Sequence, residues 1–399
     1  MTKRNAAQFY VLSLLASSAL VPATATAQTA SDLDAEDTRD EIIVTVERRE
    51  QGLQDLAATA SNFDSDMLAL TGVNSIENLD RLLPGLQIGN QEGNIEIFIR
   101  GIGSDNNTEL GDPAAATHID GVYIPRPSGL SSVWHDIERV EVNVGPQGTL
   151  RGRNATAGTL NIISKKPELG VLSAETEVEF GNYDTTAYRA VLNIPLSETA
   201  AFRVSGMAFN RDSFYTNVGP TANSVTIPGE DDDFGIRAQL LVEPNDRLRA
   251  LFSFDYNEEK GTGYPVTNVA AAIGFAGLRA DELADPRRVV YGNGSSSEDT
   301  THWGGSANIT YDFGGVSVEY LGSYRQLDFS TLQFNPLTPE FPGVDTFFTD
   351  ANINQYNIFQ WERDSNSIIQ ELRLFSADDA RRWRVLSSRG PVHISWRHG

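Results

Sequence analysis

From about residue 174 onward the chain alternates with a period of two, and this feature constrains the fold most. Tyr188, Ala190, Leu192 and Ile194 interleave with Arg189, Val191 and Asn193. Leu248, Ala250, Phe252, Phe254 and Tyr256 interleave with Arg249, Leu251, Ser253 and Asp255, and Val316, Val318, Tyr320, Gly322 and Tyr324 behave likewise. Successive side chains of a strand point to opposite faces, so each segment carries one apolar and one largely polar face. Each run is about ten residues, the length a tilted strand needs to cross a bilayer. The reading places strands near 174–182, 185–194, 201–212, 233–242, 247–258, 302–312, 315–327 and 366–376. After the first hairpin, short links (195–200, 243–246, 313–314) alternate with long ones rich in Gly, Asn, Asp, Ser and Pro (213–232, 259–301, 328–365). A soluble sandwich has no reason to gather its long loops at one end; a transmembrane antiparallel β-barrel does.

The N-terminus reads as an export signal. Lys3 and Arg4 precede an apolar stretch, Phe9 to Val21, and Ala25-Thr26-Ala27 fits a small-x-small cleavage site. The apolar stretch is too short to span a bilayer as a helix, and no other run approaches ~18 residues. Residues 1–27 are therefore expected to be a signal peptide. The 399 residues carry a net charge of −23, which argues against nucleic acid as a partner, and they include no cysteine.

Residues 28–50 form an acidic arm, interrupted by the β-prone run Glu41-Ile42-Ile43-Val44-Thr45-Val46. Taken by itself, that run fits equally a strand added to a partner's sheet edge or the first strand of the next domain. Residues 51–167 read as a small α+β domain. Helical spacing of Met67, Leu68, Leu70, Ile76, Leu79, Leu82 and Leu83 predicts helix over 65–83, capped in its second part by Ser75 and stopped at Pro84-Gly85. Strands are expected at 95–99, at 117–124 with a bend at Asp120-Gly121, at 137–144 and at 159–164. No catalytic constellation stands out, and the chain is not read as an enzyme. Glu230 to Asp233 reads as a solvated loop rather than a calcium site, and His118 and His135 as ordinary polar contacts.

The ordered motifs Phe98-Ile99-Arg100-Gly101-Ile102-Gly103, His118-Ile119-Asp120-Gly121-Val122-Tyr123, Ile137-Glu138-Arg139-Val140-Glu141-Val142, Gly145-Pro146-Gln147-Gly148-Thr149-Leu150 and Gly152-Arg153-Asn154-Ala155 resemble those of the TonB-dependent outer-membrane receptors. The resemblance runs from Glu41 to about Phe375. It departs from the family pattern at Asn143-Val144, where Leu-Arg is usual, and at Arg151, where an aromatic is usual. The resemblance implies that 41–46 is a TonB box and 51–167 a plug seated in a barrel of roughly 22 strands. Only the first ~8–10 of those strands fit into residues 171–379. It further implies outer-membrane uptake of a scarce ligand, most simply a ferric siderophore, powered through TonB and the ExbB/ExbD complex, with outer-membrane lipid around the barrel. No cofactor is implied; the iron complex is cargo. Residues 380–399 contain no Asp or Glu but carry Arg381, Arg382, Arg384, Arg389 and Arg397, and read as an aberrant tail on a C-terminally truncated receptor. The competing expectations are a non-transporting fragment of such a receptor and a passive porin-type channel.

Overall fold

A computed structural model describes residues 43–44, 51–52, 59–91, 94–104, 111–128, 130, 132–148, 154–217, 229–263, 285, 287–289, 296–334, 358–376 and 392–395. The predicted signal peptide and, apart from Ile43 and Val44, the acidic arm lie outside the described residues, Glu41, Ile42, Thr45 and Val46 among them. β1 (Ile43–Val44) pairs antiparallel with β2 (Gln51–Gly52) as a two-stranded ladder apart from the other sheets.

The plug begins with β3 (Thr59–Asp64) and the helix α1 (Ser65–Leu70). Asp64 caps α1 by accepting the Met67 amide at 2.8 Å. The helix expected over 65–83 is thereby corrected: α1 ends at Thr71, Gly72 takes φ 69°, and the next helical turn is a 3-10 segment at Glu77–Arg81. Ile76, not Ser75, holds the cap position, and no side chain caps it. The apolar spacing still does its work, because Leu68, Ile76 and Leu79 are buried in the plug core.

Two more hairpins complete the plug. β4 (Leu86–Gln91) pairs with β5 (Asn94–Ile99), and β6 (Ala115–Ile119) pairs with β7 (Val122–Ile124). β8 (Ile137–Val144) and β9 (Gly158–Ser164) form the centre of a five-stranded sheet in the order β3-β8-β9-β6-β7. Within this sheet β6 and β9 run parallel and the other described pairs antiparallel. The core packs on this sheet, with Ile99, Leu130, Val140, Val142, Leu160 and Ile162 among its most buried members.

The remaining strands form one up-and-down antiparallel sheet. They are β10 (Ser173–Phe180), β11 (Thr186–Ser197), β12 (Ala200–Arg211), β14 (Asp231–Asn245), β15 (Leu248–Gly261), β17 (Ser297–Asp312), β18 (Val316–Phe334), β19 (Ile358–Ser376) and β20 (Val392–Ser395). Two short strands, β13 (Thr216–Asn217) and β16 (Arg288–Val289), pair in parallel and tie two of the long loops together. Among the described residues no pairing joins β10 to β20, so the sheet is open. β20 comes from the basic tail and lies antiparallel on the middle of β19; the rest of that tail lies outside the described residues.

The register makes the inversion of this sheet explicit. One rung across it reads Ser205, Arg237, Asp255, Gly304, Arg325, Ser367. The rung beside it reads Val204, Ala238, Phe254, Gly305, Tyr324, Ile368. The polar rung is buried, whereas Phe254, Tyr324 and Ile368 on the apolar rung are 49%, 38% and 43% exposed. Water-soluble domains bury apolar groups and expose polar ones. Here the exposed face is the apolar one, as in a barrel whose outer face meets hydrocarbon and whose lumen is polar.

Candidate functional site

The polar inner face of the sheet is where the plug sits, and the contact is built from a short plug segment, residues 132–136, and the strand that follows it. Asp136 holds φ 52°, a conformation unusual for a residue with a Cβ, and points its carboxylate at Arg203 on β12. Arg203 Nε and Nη2 donate to Asp136 at 2.7 and 2.6 Å, and both side chains are 3% exposed. His135 Nδ1 lies 3.1 Å from the Ser205 hydroxyl. Arg237 on β14 donates to the carbonyls of His135 and Val133 at 3.0 and 3.2 Å. The Ser132 amide donates to Glu259 on β15 at 2.6 Å. Burial and the charges of Arg237 and Arg189 hold the His135 imidazole well below its ordinary pKa, so it is neutral.

A second set of bonds fixes the end of the plug. Asp120 accepts the Ser164 amide and hydroxyl at 2.9 and 2.7 Å and pairs with Lys166. Burial would raise the Asp120 carboxyl, but the Lys166 and Arg237 charges and these hydrogen bonds hold it below its usual range. Burial also lowers the Lys166 ammonium, and Asp120 opposes that shift. Gln239 on β14 then donates to the Ser164 hydroxyl at 3.0 Å. Asn193 on β11 is fully buried and brackets the linker, donating to the carbonyls of Glu168 and Val171 and accepting the Glu168 amide.

Among the motif residues named from sequence, most serve backbone geometry. Arg100 and Gly101 take φ 53° and 76°, and Ile99 and Ile102 exchange both backbone bonds around them. Asp120 and Gly121 take φ 50° and 82° at the β6–β7 turn. Two consecutive positive φ values are what a two-residue hairpin with right-handed twist requires, and glycine supplies the second at no steric cost. Glu138, Arg139 and Glu141 lie on β8; Arg139 pairs with Glu138 and donates to the fully buried Glu141 at 3.0 Å. Gly145 and Gln147 donate to the carbonyls of Ala157 and Ala155, so Gly145-Pro146-Gln147-Gly148 extends the β8–β9 ladder into a turn. Asn154, at φ 65°, donates to the Tyr123 hydroxyl at 2.7 Å. Ile43 and Val44 form β1, while Gly152 and Arg153 lie outside the described residues. No group of three or more His, Asp or Glu side chains able to hold a metal occurs among the described residues.

The TonB-dependent Receptor Plug Domain family matches residues 52–159, the segment that folds as the β3–β9 unit. Over those residues the chain carries a plug domain of the TonB-dependent receptor type. Among curated relatives, the pesticin receptor of Yersinia pestis is 29% identical over 245 residues, covering 57% of this chain and 33% of that protein. The ferric enterobactin receptor PirA of Pseudomonas aeruginosa is 30% identical over 190 residues, covering 42% and 25%. The solved ferric yersiniabactin uptake receptor FyuA of Yersinia pestis superposes with a TM-score of 0.61 at 20% identity, over 81% of this chain and 46% of that one. At that identity the likeness shows the fold. The chain thus spans about a third of the length of the pesticin receptor.

Sequence reasoning did not single out the seat itself. Ser132, Asp136, Arg203, Arg237 and Gln239 carry it, and each is polar and buried, or carries a buried side chain, on the lumen side. The available signal was Arg203 with Ser205, and Arg237 with Gln239, recurring at every second position inside otherwise apolar strands.

Proposed function

We propose that this receptor takes up a scarce ligand, most simply a ferric siderophore, across the outer membrane of a Gram-negative cell, with energy delivered through TonB and the ExbB/ExbD complex. The observation that carries the reading is the plug bonded to the polar inner face of a sheet whose apolar face is exposed. A plug placed there blocks passive flow, which argues against a porin-type channel. The ligand of one curated relative, ferric enterobactin, supports a receptor for iron complexes. Residues 1–27 direct export, residues 41–46 are the TonB box, and the receptor moves its cargo without chemical conversion. Pulling on the box displaces part of the plug and opens the lumen.

Deleting Glu41–Val46 tests this. The expected outcome is loss of radiolabelled iron uptake from a panel of ferric siderophores, with binding of the same complexes retained; uptake that survives the deletion overturns the reading. The open sheet favours a second reading, a non-transporting fragment, because an unpaired strand edge in hydrocarbon leaves backbone groups unsatisfied. Heat-modifiable electrophoretic migration of the membrane-inserted chain supports the first reading, and its absence the second.

A further inference from the structure

The large sheet begins at β10 with a free edge. Among the described residues nothing pairs with β10 on the side away from β11, and every residue from Ala174 to Phe180 is exposed. Along such an edge alternate backbone N–H and C=O groups point outward, which makes it a template for one more strand. The register shows which side chains lie on which face. Ser173 stands opposite Asn193, and Asn193 opposite Arg203, so Ser173, Glu175, Glu177 and Glu179 continue the polar inner face on which the plug sits. Ala174, Thr176, Val178 and Phe180 continue the apolar outer face, and Val178 and Phe180 are 54% and 73% exposed. The three glutamates repeat about every 7 Å along the strand. Arg189 on β11 pairs with Glu177 at 3.2 Å and with Glu179 at 3.7 Å. Among the described residues Glu175 has no salt-bridge partner.

We infer that the free edge of β10 takes an antiparallel strand of alternating apolar and basic residues, whose basic side chains lie on the inner face opposite Glu175, Glu177 and Glu179. The backbone ladder supplies the affinity, and the alternation fixes the register. A slip of one residue would carry the basic side chains to the apolar face and leave the glutamates unanswered. A second copy of this chain does not suit the edge. Its own β10 brings the same three carboxylates, and like charges directly opposite one another are destabilising. At the far end of the sheet, β20 already covers the middle of β19. Strand addition of this kind needs neither cargo nor TonB, so the inference stands apart from the uptake reading.

Peptides test it directly. The full-length chain, purified in detergent, is titrated with a peptide that alternates valine and lysine over the eight-residue length of β10. Two controls accompany it: the same residues shuffled so that they no longer alternate, and a peptide alternating valine and glutamate. Amide hydrogen exchange over residues 173–180 reads the pairing. The expected result is that the valine–lysine peptide slows alternate amides of β10, and does so at about tenfold lower concentration than either control. The triple variant E175Q, E177Q, E179Q changes only an exposed strand edge, and unchanged exchange along the β11–β12 ladder confirms that it folds. In that variant the advantage over the valine–glutamate peptide should disappear. Failure of every peptide to protect β10, equal protection by all three, a preference that survives the triple substitution, or protection confined to β19 and β20 overturns the inference. Because neither cargo nor TonB is present, the peptide result can fail while deletion of 41–46 still abolishes uptake, and the reverse.

Discussion

At the scale of single residues, the pair Asp136 and Arg203 decides how firmly the plug is held. Both side chains are 3% exposed, so neither charge has water to fall back on. Replacing Asp136 by Ala strands a guanidinium and is expected to cost about 3–5 kcal/mol of plug docking. The double change Asp136→Leu with Arg203→Met should cost far less, because it removes both desolvation penalties together. Urea midpoints of the purified variants check the difference. His135 beside them has its pKa depressed from the ordinary 6.5 by burial and by Arg237 and Arg189. The folded chain therefore binds fewer protons than the unfolded chain just below pH 6.5. Its contribution to stability is complete above that value and is lost as pH falls from 6.5 toward the depressed value. The urea midpoint should fall between pH 7.5 and pH 5, and His135→Asn should flatten that slope; an unchanged slope in the variant would show that other groups set it.

Elements differ in how much of them the sequence discloses. The long strands β11, β12, β14, β15, β17, β18 and β19 were legible because each turns a polar face to the buried side and an apolar face outward. The alternation is thus enforced at nearly every position. β3 was not legible: Thr59-Ala60-Ser61-Asn62-Phe63-Asp64 has little intrinsic strand preference and becomes a strand by pairing with β8. The helix over 65–83 was overextended because the apolar spacing continues through Thr71 and Gly72, where the backbone turns to positive φ. The seat was hidden for another reason. Asp136 and Arg203 are 67 residues apart and His135 and Arg237 are 102 apart, and no local pattern encodes such pairings. β14 supplies a test at this scale. Gly235→Ala places a methyl against the Ser132 carbonyl, and overpacking of this kind costs about 1–3 kcal/mol. Hydrogen exchange should show faster exchange of the Ser132 amide, with the β14–β15 ladder unchanged.

For the whole molecule, the question is what solvent the outer face meets. Phe252 and Phe254 on β15 are 43% and 49% exposed, while Ser253 between them faces the lumen beside Gln239 and Ser306. In water an exposed phenylalanine has little to lose, and Phe252→Arg would be close to neutral or favourable for solubility. In a bilayer the same change buries a charge in hydrocarbon and costs about 2–4 kcal/mol near the midplane. Ser253→Arg points into the polar lumen and avoids that penalty. Folding into phosphatidylcholine vesicles, followed by urea denaturation, separates the two environments. The receptor reading expects Phe252→Arg to lower the midpoint strongly and Ser253→Arg to lower it little. Equal midpoints for the two variants would mean that the apolar rung does not face lipid, and the inverted sheet would then need a protein partner covering it instead.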